Sequence, residues 1–360
     1  MTTRRGFLAS VLAASAVPSL TWADAGSPAF LAAAREPDGT FALFGLTVGG
    51  LDTFRIPLPT RGHAAAGHPT APEAVAFARR PGTFALVIDC VSGRVLFRLE
   101  APQGRHFYGH GVFSANGDTL HSTENDYGTG QGVIGLWQRS AGYQRIGEMP
   151  SFGIGPHDIL RLPGTDTLVV ANGGILTHPD SDRETLNPDT MMPNLSYLNA
   201  SGQIQDIVML DPALHQNSIR HLAAGTDGTV AFAMQWEGDP TLFPPLLGLH
   251  KRGSAPVLAM APDGVHRRMK GYAASIGRSG DGAQVAITSP RGGLACLFGI
   301  DGSYAGLVDR ADICGIGSGS DGFVVTDGLG GVATIRDGAF AALGVRDRAW
   351  DNHLIRLTVG

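Results

Sequence analysis

Histidine recurs at one position of a repeated sequence pattern. Segments 109–117, 156–164 and 220–228 align without gaps, and in each a histidine stands six residues before a two-residue turn that ends in glycine. A looser match at residues 61–69 and a C-terminal strand at residues 350–357 each add one more histidine. The resulting set is His63, His110, His157, His221 and His353. Neutral imidazole binds Zn, Cu, Fe and Ni, so several histidines that face one point favour a metal or haem site.

A polar channel is the main alternative for these histidines. A single histidine on an inner strand most often has its ring nitrogens satisfied by neighbouring carbonyl groups. A channel also needs donors and acceptors to order its water. A structural polar lining therefore stands beside the first interpretation, for which iron, copper and haem are the cofactors considered.

The spacing of the pattern indicates the fold. The same frame places Ser275 and Gly315 at the histidine position, so successive positions from His63 to His353 are 47, 47, 64, 54, 40 and 38 residues apart. Repeats of about 40–50 residues in a chain of short strands are typical of β-propeller blades. The 51 glycines and 22 prolines supply the tight turns that such strands need. We therefore predict an all-β, seven-bladed propeller, because a β-sandwich or two stacked barrels would not explain the recurring frame.

Segments at the two ends of the chain are predicted to complete one blade. Residues 30–57 contain only three predicted strands, and residues 350–357 have the pattern of a missing innermost strand. Pairing them closes the ring and removes exposed sheet edges. Residues 26–360 are thus predicted to form one propeller, with an insertion at about residues 178–194.

Polar residues follow the second strand of several blades. Strands in a blade run antiparallel, so the end of the second strand lies on the same face as the start of the innermost strand. We therefore predict a channel mouth that contains Arg79, Arg80, Glu124, Asn125, Asn172, Gln235, Trp236 and Arg291. The arginines favour an anion such as a carboxylate, a haem propionate or a phosphate, although solvated surface arginines are the alternative. Carboxylate and amide groups would complete a ligand shell or orient the histidines.

The insertion joins a second strand to a third, and we expect it to hang over the same mouth as a lid. Its notable side chains are those of His178, Met191 and Met192. Thioether sulfur is a soft ligand for Cu(I). Adjacent methionines in a proline-rich loop also serve as packing or partner contacts, so both interpretations are kept.

Composition excludes several classes of protein. A formal net charge of -5 argues against nucleic-acid binding, which needs a basic surface. Three cysteines cannot pair completely, and Cys90 and Cys296 lie in apolar strand patterns typical of buried thiols. There is no G-x-S-x-G elbow, H-E-x-x-H motif or P-loop.

The first 25 residues have the pattern of a twin-arginine signal peptide. Arg4-Arg5 precede an uncharged run from Leu8 to Ala16, and Ala23-Asp24-Ala25 matches a small-residue cleavage site. This predicts a periplasmic protein, exported in the folded state, with no membrane span after cleavage. An ordinary secretory signal with a chance arginine pair is the alternative, and it predicts the same destination.

Long runs of the sequence resemble a known family of exported bacterial proteins. The matching runs are FARRPG (77–82), GRHFYGHGVFS (104–114), STENDY (122–127), VVANGGI (169–175), HPDS (178–181), SIRHLA (218–223) and TSPRGG (288–293). They resemble the DUF1513 family, whose function is unknown. The resemblance implies a periplasmic propeller similar to the YVTN and quinoprotein-like groups. It also implies a genomic association with imelysin-like lipoproteins and di-haem oxidoreductases that are linked to iron acquisition.

Three functions follow from these observations. The preferred one is a periplasmic accessory protein in iron or copper acquisition that binds a transition metal or haem at the histidines. The second is a metal-free platform that holds a periplasmic partner such as an imelysin-like protein. The third is an enzyme similar to propeller lactonases or dehydrogenases, which is less favoured because such lactonases hold calcium with oxygen ligands rather than imidazole.

Overall fold

The computed structural model is a ring of seven four-stranded antiparallel sheets, which confirms the predicted propeller. It describes residues 19–79, 82–181 and 184–357. Blade 1 contains β1 (Phe30–Arg35), β2 (Phe41–Leu46), β3 (Asp52–Leu58) and β28 (Ala349–Arg356). Blade 2 contains β4 (Gly62–Gly67), β5 (Glu73–Ala78), β6 (Phe84–Asp89) and β7 (Arg94–Glu100). Blade 3 contains β8 (Arg105–Phe113), β9 (Thr119–Asp126), β10 (Gln131–Gln138) and β11 (Gln144–Pro150).

The remaining four blades follow in chain order. Blade 4 contains β12 (Pro156–Arg161), β13 (Leu168–Asn172), β14 (Asn194–Leu198) and β15 (Ile204–Met209). Blade 5 contains β16 (Asn217–Ala224), β17 (Thr229–Trp236), β18 (Leu247–Lys251) and β19 (Val257–Ala259). Blade 6 contains β20 (Ser275–Arg278), β21 (Gln284–Ser289), β22 (Leu294–Gly299) and β23 (Tyr304–Asp309). Blade 7 contains β24 (Ile313–Ser318), β25 (Phe323–Asp327), β26 (Gly331–Arg336) and β27 (Ala339–Val345).

Helical structure in the described residues is confined to short turns. One α-helical turn, α1, spans Asp263–His266. The 3-10 turns are Arg139–Ala141, Pro179–Ser181, Pro188–Thr190, Pro212–Leu214 and Arg267–Met269. Within the same residues, no helix has the length and apolar character needed to cross a bilayer.

The ring closes as the sequence predicts. β28 lies beside β1 in antiparallel register, with Phe30 opposite Arg356 and Leu31 opposite Ile355. The innermost strand of blade 1 therefore comes from the C-terminal end of the chain, and its other three strands come from the N-terminal part. This pairing completes the four-stranded sheet of blade 1.

The hydrophobic core lies between the faces of neighbouring blades. The middle strands β2 and β5 are buried along nearly their whole length, because both faces of a middle strand pack against neighbouring blades. One cluster joins Val75 and Phe77 of blade 2 to Phe107 and Trp137 of blade 3. The outer strand β7, in contrast, is exposed at six of its seven residues. Packing between blades thus fixes where the inner strands point.

Most inner strands are irregular where they line the channel. In six blades, the register between the innermost and second strands shifts partway along the pair, and only β20 in blade 6 pairs regularly. The shifts span His63, His110, His157 and His353, and they border His221. A β-bulge redirects the side chains next to it. The bulges therefore decide how the five histidines enter the channel.

Residues before the first strand pack onto the propeller. Residues 1–18, with the twin-arginine pair, lie outside the described residues. Trp22 is only 2% exposed, its indole Nε1–H donates to the carbonyl oxygen of His68 at 2.8 Å, and it shares a hydrophobic cluster with Leu31 and Leu357. Trp22 therefore contributes to the folded domain although it lies within the predicted signal segment.

Replacing Trp22 with alanine should destabilise the propeller. Loss of a buried tryptophan typically costs about 3–5 kcal/mol, because a cavity remains and a hydrogen bond is lost. Urea unfolding of protein that retains residues 19–27 measures the change, with Leu20→Ala as the control because Leu20 is 51% exposed. Equal unfolding midpoints for the two variants would show that this segment does not stabilise the fold.

Candidate functional site

Five histidine side chains meet in the channel. The centroid of the His63 ring lies 4.9 Å from that of His110 and 4.6 Å from that of His353. The centroid of the His221 ring lies 4.7 Å from those of both His157 and His353. His110 is 5.2 Å from His157 and 5.6 Å from His221. The structure thus brings together all five histidines of the repeated pattern. We call His63, His110, His157, His221 and His353 the histidine cluster.

One glycine makes room for the cluster. Gly109 has a φ of 102°, a conformation that side-chain-bearing residues rarely adopt, and a Cβ at this position would lie 2.4 Å from Cδ2 of His63. Only glycine permits both the backbone conformation and the close approach of the His63 ring. The glycine before His110 in the sequence pattern therefore has a packing role.

Hydrogen bonds fix the ring orientation of two histidines. His110 Nδ1–H donates to Asp158 Oδ1 at 3.0 Å, and His157 Nδ1–H donates to the carbonyl oxygen of Arg220 at 3.1 Å. Asp158 is itself held, because it accepts from the backbone amides of Ile159 and Leu222 at 2.8 and 2.9 Å. These acceptors place the proton on Nδ1 of both rings and leave the lone pair on Nε2.

Several ring nitrogens of the cluster are buried without a partner. His63 Nδ1, His110 Nε2, His221 Nδ1 and His353 Nε2 have no hydrogen-bond partner among the described residues. A buried polar atom without a partner costs about 1–3 kcal/mol, so four in one place need an explanation. Either an ion bound through nitrogen lone pairs or water ordered against the rings would supply it.

Four histidines of the cluster are uncharged at neutral pH. Burial, and then the nearby charges, lower the pKa of His63, His157 and His221 well below 6.5. Burial lowers the pKa of His353 to about 3. Neutral imidazole is the form that binds metal ions, so these rings need not lose a proton first.

Two overlapping triads in the cluster have the spacing of a metal site. In His63, His110 and His353, one candidate ligand atom from each residue lies within 4.8 Å of the others, and the same holds for His110, His157 and His221. Two nitrogens bound to one ion at about 2.1 Å lie at most about 4.2 Å apart, so atoms within 4.8 Å of one another are close to the spacing that one ion requires. His110 belongs to both triads.

One end of the channel opens into a cavity of about 260 Å³ that we call the mouth cavity. Its lining includes the predicted residues His63, Arg79, His157, His221, Gln235 and Arg291. Residues of this lining outside the predicted set include Tyr108, Thr185, Arg220, Tyr272 and Asn352. Arg220 was detectable, since it precedes His221 in the repeated frame, whereas Tyr272 reaches the mouth through a bridge to Gln235 that no motif marks.

The other end of the cluster opens into a wider cavity of about 650 Å³. His110, Asp158, His221 and His353 line it. His221 lines both this cavity and the mouth cavity, so the histidine cluster lies between the two cavities. Asp158 was also missed by the sequence-based prediction, although it directly follows His157.

Four predicted mouth residues hold the framework instead of lining the mouth cavity. Glu124 is fully buried and pairs with Arg145 of β11, with N–O distances of 2.7 and 2.9 Å. Asn125 donates to the carbonyl oxygen of Thr177 at 3.0 Å, and Asn172 donates to Ser151, Asn194 and Ser196 at 2.9–3.0 Å. Trp236 donates from its indole to the carbonyl oxygen of Asp239. Arg80 lies outside the described residues.

The insertion reaches the mouth through Thr185 rather than through the residues singled out in the sequence. The His178 ring packs edge-on against Tyr127 with centroids 5.1 Å apart. Met191 is buried and Met192 is 61% exposed, and neither lines the mouth cavity. Residues 182 and 183 are outside the described part of this loop.

The three cysteines are buried free thiols, as the apolar patterns around Cys90 and Cys296 predict. Burial raises the pKa of the Cys90 and Cys296 thiols to about 12 and also raises that of Cys314. Thiolates are the metal-binding form, so these cysteines are poor ligands at neutral pH.

Comparison with known proteins identifies a family but no activity. The model of a family described as "Protein of unknown function (DUF1513)" matches residues 56–357. No curated protein sequence shows a significant match. A chain in the crystal structure of a mitotic checkpoint complex is similar, with a TM-score of 0.56 over 78% of each chain and 8% sequence identity. At that identity the likeness concerns the fold alone.

Proposed function

We propose that this chain, which belongs to the DUF1513 family of proteins of unknown function, binds a transition-metal ion through its histidine cluster. One observation carries the proposal: four buried imidazole nitrogens without a protein partner lie in a cluster whose neighbouring ring centroids are 4.6–5.6 Å apart. A metal ion would satisfy these nitrogens directly, whereas a structural polar lining would satisfy them through ordered water.

His110 is the best-prepared ligand. Its Nδ1–H donates to Asp158, so Nε2 is available, and this carboxylate–histidine arrangement is the usual support of a metal-bound imidazole. His157 is oriented in the same way, because its Nδ1–H donates to the carbonyl oxygen of Arg220. The two triads are alternative positions for an ion around the shared His110.

The donor set favours a borderline divalent ion. An all-imidazole site suits copper, zinc, nickel and iron, and copper(II) has the highest affinity in the usual order of divalent first-row metals. Of the two metals considered from the sequence, copper therefore fits better. Because the imidazole rings occupy the channel, we favour a bare ion over haem.

We further propose that the protein works in the periplasm as a binding accessory in copper or iron acquisition. The twin-arginine pattern in residues 1–25 supports this location, because that route exports folded proteins, which often carry a cofactor already. Imelysin-like or di-haem proteins are proposed partners, on the family resemblance alone. The role requires binding and release of metal and no catalytic step.

Metal loading tests the proposal. Protein stripped with a chelator and dialysed against Cu(II), Zn(II), Ni(II) or Fe(II) should retain about one ion per chain after gel filtration, measured by elemental mass spectrometry. Retention of none of these ions would contradict the proposal. It would also favour the metal-free platform, which predicts that removal of residues 178–194 abolishes capture of a periplasmic partner.

A further inference from the structure

The mouth cavity has a pronounced positive charge beside the histidine cluster. Asp351 approaches Arg79 at 3.7 Å but already accepts two hydrogen bonds from Arg61, at 2.6 and 2.9 Å. Among the described residues that line the cavity, the guanidinium groups of Arg220 and Arg291 therefore face one carboxylate, that of Glu237.

Two of these guanidinium groups are positioned by neighbours that leave much of their hydrogen-bonding capacity unused. Arg220 donates from Nε to Gln235 Oε1 at 3.3 Å, while its Nη2 remains 3.8 Å from Glu237, beyond hydrogen-bonding distance. Arg291 stacks over the Tyr272 ring at 4.1 Å and has no ion-pair partner among the described residues. Stacking orders a guanidinium and keeps its N–H edge available for an oxyanion.

The cavity connects directly to the histidines. His63, His157 and His221 share its lining, and the backbone carbonyl of Arg220 accepts the hydrogen bond from His157. A cation held by neutral imidazoles would add positive charge next to the arginines. An anion between them would offset both, and carboxylate oxygen is itself a metal ligand.

The size of the cavity limits the ligand. A volume of about 260 Å³ corresponds to roughly nine liquid water molecules at about 30 Å³ each. That space fits a small acid and falls below the roughly 300–1,000 Å³ of pockets for drug-sized ligands.

We propose that the mouth cavity binds a small dicarboxylate, with one carboxylate on Arg220 and Arg291 and the other directed at the histidine-bound ion. This inference rests on the proposed metal site and adds a ligand class to it. The protein would then take up a metal ion together with a small organic acid, rather than the ion alone.

Titration calorimetry with succinate tests the proposal. Succinate is a dicarboxylate that chelates weakly, so it will not strip the metal. We expect saturable binding to copper-loaded protein at low salt, weaker binding to metal-free protein, and loss of affinity as ionic strength rises. Arg291→Gln should weaken binding about 10- to 100-fold, since hydrogen bonds to charged groups contribute more than neutral ones.

Matched variants separate the anion site from general effects. Arg291→Lys keeps the charge but loses the planar fork, and should recover only part of the affinity. Arg336→Gln removes an exposed arginine that pairs with Asp321, outside the mouth lining, and should leave succinate binding unchanged.

The outcomes distinguish this inference from the metal site. Retained copper with no succinate binding, or with binding unaffected by Arg291→Gln, would overturn the dicarboxylate proposal alone. Binding of inorganic phosphate but not succinate would also overturn it, because the ligand class would be wrong. Failure to retain copper, with succinate binding to the metal-free protein that depends on Arg291, would contradict the metal site and support the anion site.

Discussion

His110→Asn should lower the affinity for Cu(II) by at least about 100-fold, more than the roughly 10- to 100-fold typical of losing a supporting partner. The asparagine amide can still donate to Asp158, but no ligand atom remains at the position of Nε2. Since His110 is common to both triads, neither can bind the ion with three imidazoles. Competition with a chromophoric chelator of known affinity measures the change.

The control and a graded series make this result specific. His121→Asn changes a buried histidine outside the cluster, whose Nδ1 is near the carbonyl oxygen of Val112, and should leave affinity unchanged. Asp158→Asn should produce an intermediate loss of about 10- to 100-fold, because it removes only the support of His110. Unchanged affinity in His110→Asn would exclude both triads.

Separate substitutions identify the triad that holds the ion. His353→Asn affects only the triad with His63, whereas His221→Asn affects only the triad with His157. If one position is used, one variant loses affinity and the other does not.

The metal-free protein should lose stability steeply as pH falls below about 6.5. His63, His157, His221 and His353 have pKa values well below 6.5 in the folded state because of burial, and that of His353 is about 3. In the unfolded chain, histidine titrates near about 6.5. Between these pH values the unfolded state binds more protons, so the free energy of unfolding decreases as pH falls. The stabilising contribution of these histidines therefore reaches its full value only above about pH 6.5.

The free energy of unfolding is expected to change steeply with pH. Each histidine that is charged only in the unfolded chain contributes about 1.4 kcal/mol per pH unit. These four therefore contribute a limiting slope of about 5 kcal/mol per pH unit, to which other buried histidines such as His121 add. Urea unfolding at pH 7.5, 6.5 and 5.5 in the presence of a chelator measures it. His221→Asn combined with His353→Asn should flatten the slope. Stability that is constant over this range would contradict neutral, buried rings.

The repeat in the sequence was sufficient to predict the ring, and the reason is geometric. A histidine at one position of each repeat must occupy equivalent places around a closed propeller, so His63, His110, His157 and His221 had to approach one another. Blade 1 lacked an innermost strand in the predicted order, and the hydrophobic strand at residues 350–357 had no other sheet to join. The structure pairs this strand, β28, with β1.

The details of the site depended on contacts that the sequence does not encode locally. The β-bulges that direct the histidines arise from packing between blades and leave no consistent residue pattern. Glu124 was expected at the mouth, yet Arg145, from the outer strand of the same blade, pairs with it in the interior. Strand-end positions predict the face of a blade but not the direction of each side chain, which depends on the neighbouring strands.

X-ray absorption at the copper edge of the loaded wild-type protein tests the central claim most directly. If the histidine cluster holds the ion, the spectrum will show at least three imidazole nitrogens at about 2.0 Å and no sulfur scatterer. A shell of oxygen atoms alone, a sulfur contribution, or a spectrum unchanged in His110→Asn would show that the ion binds elsewhere, and the histidine cluster would then be a structural lining of the channel.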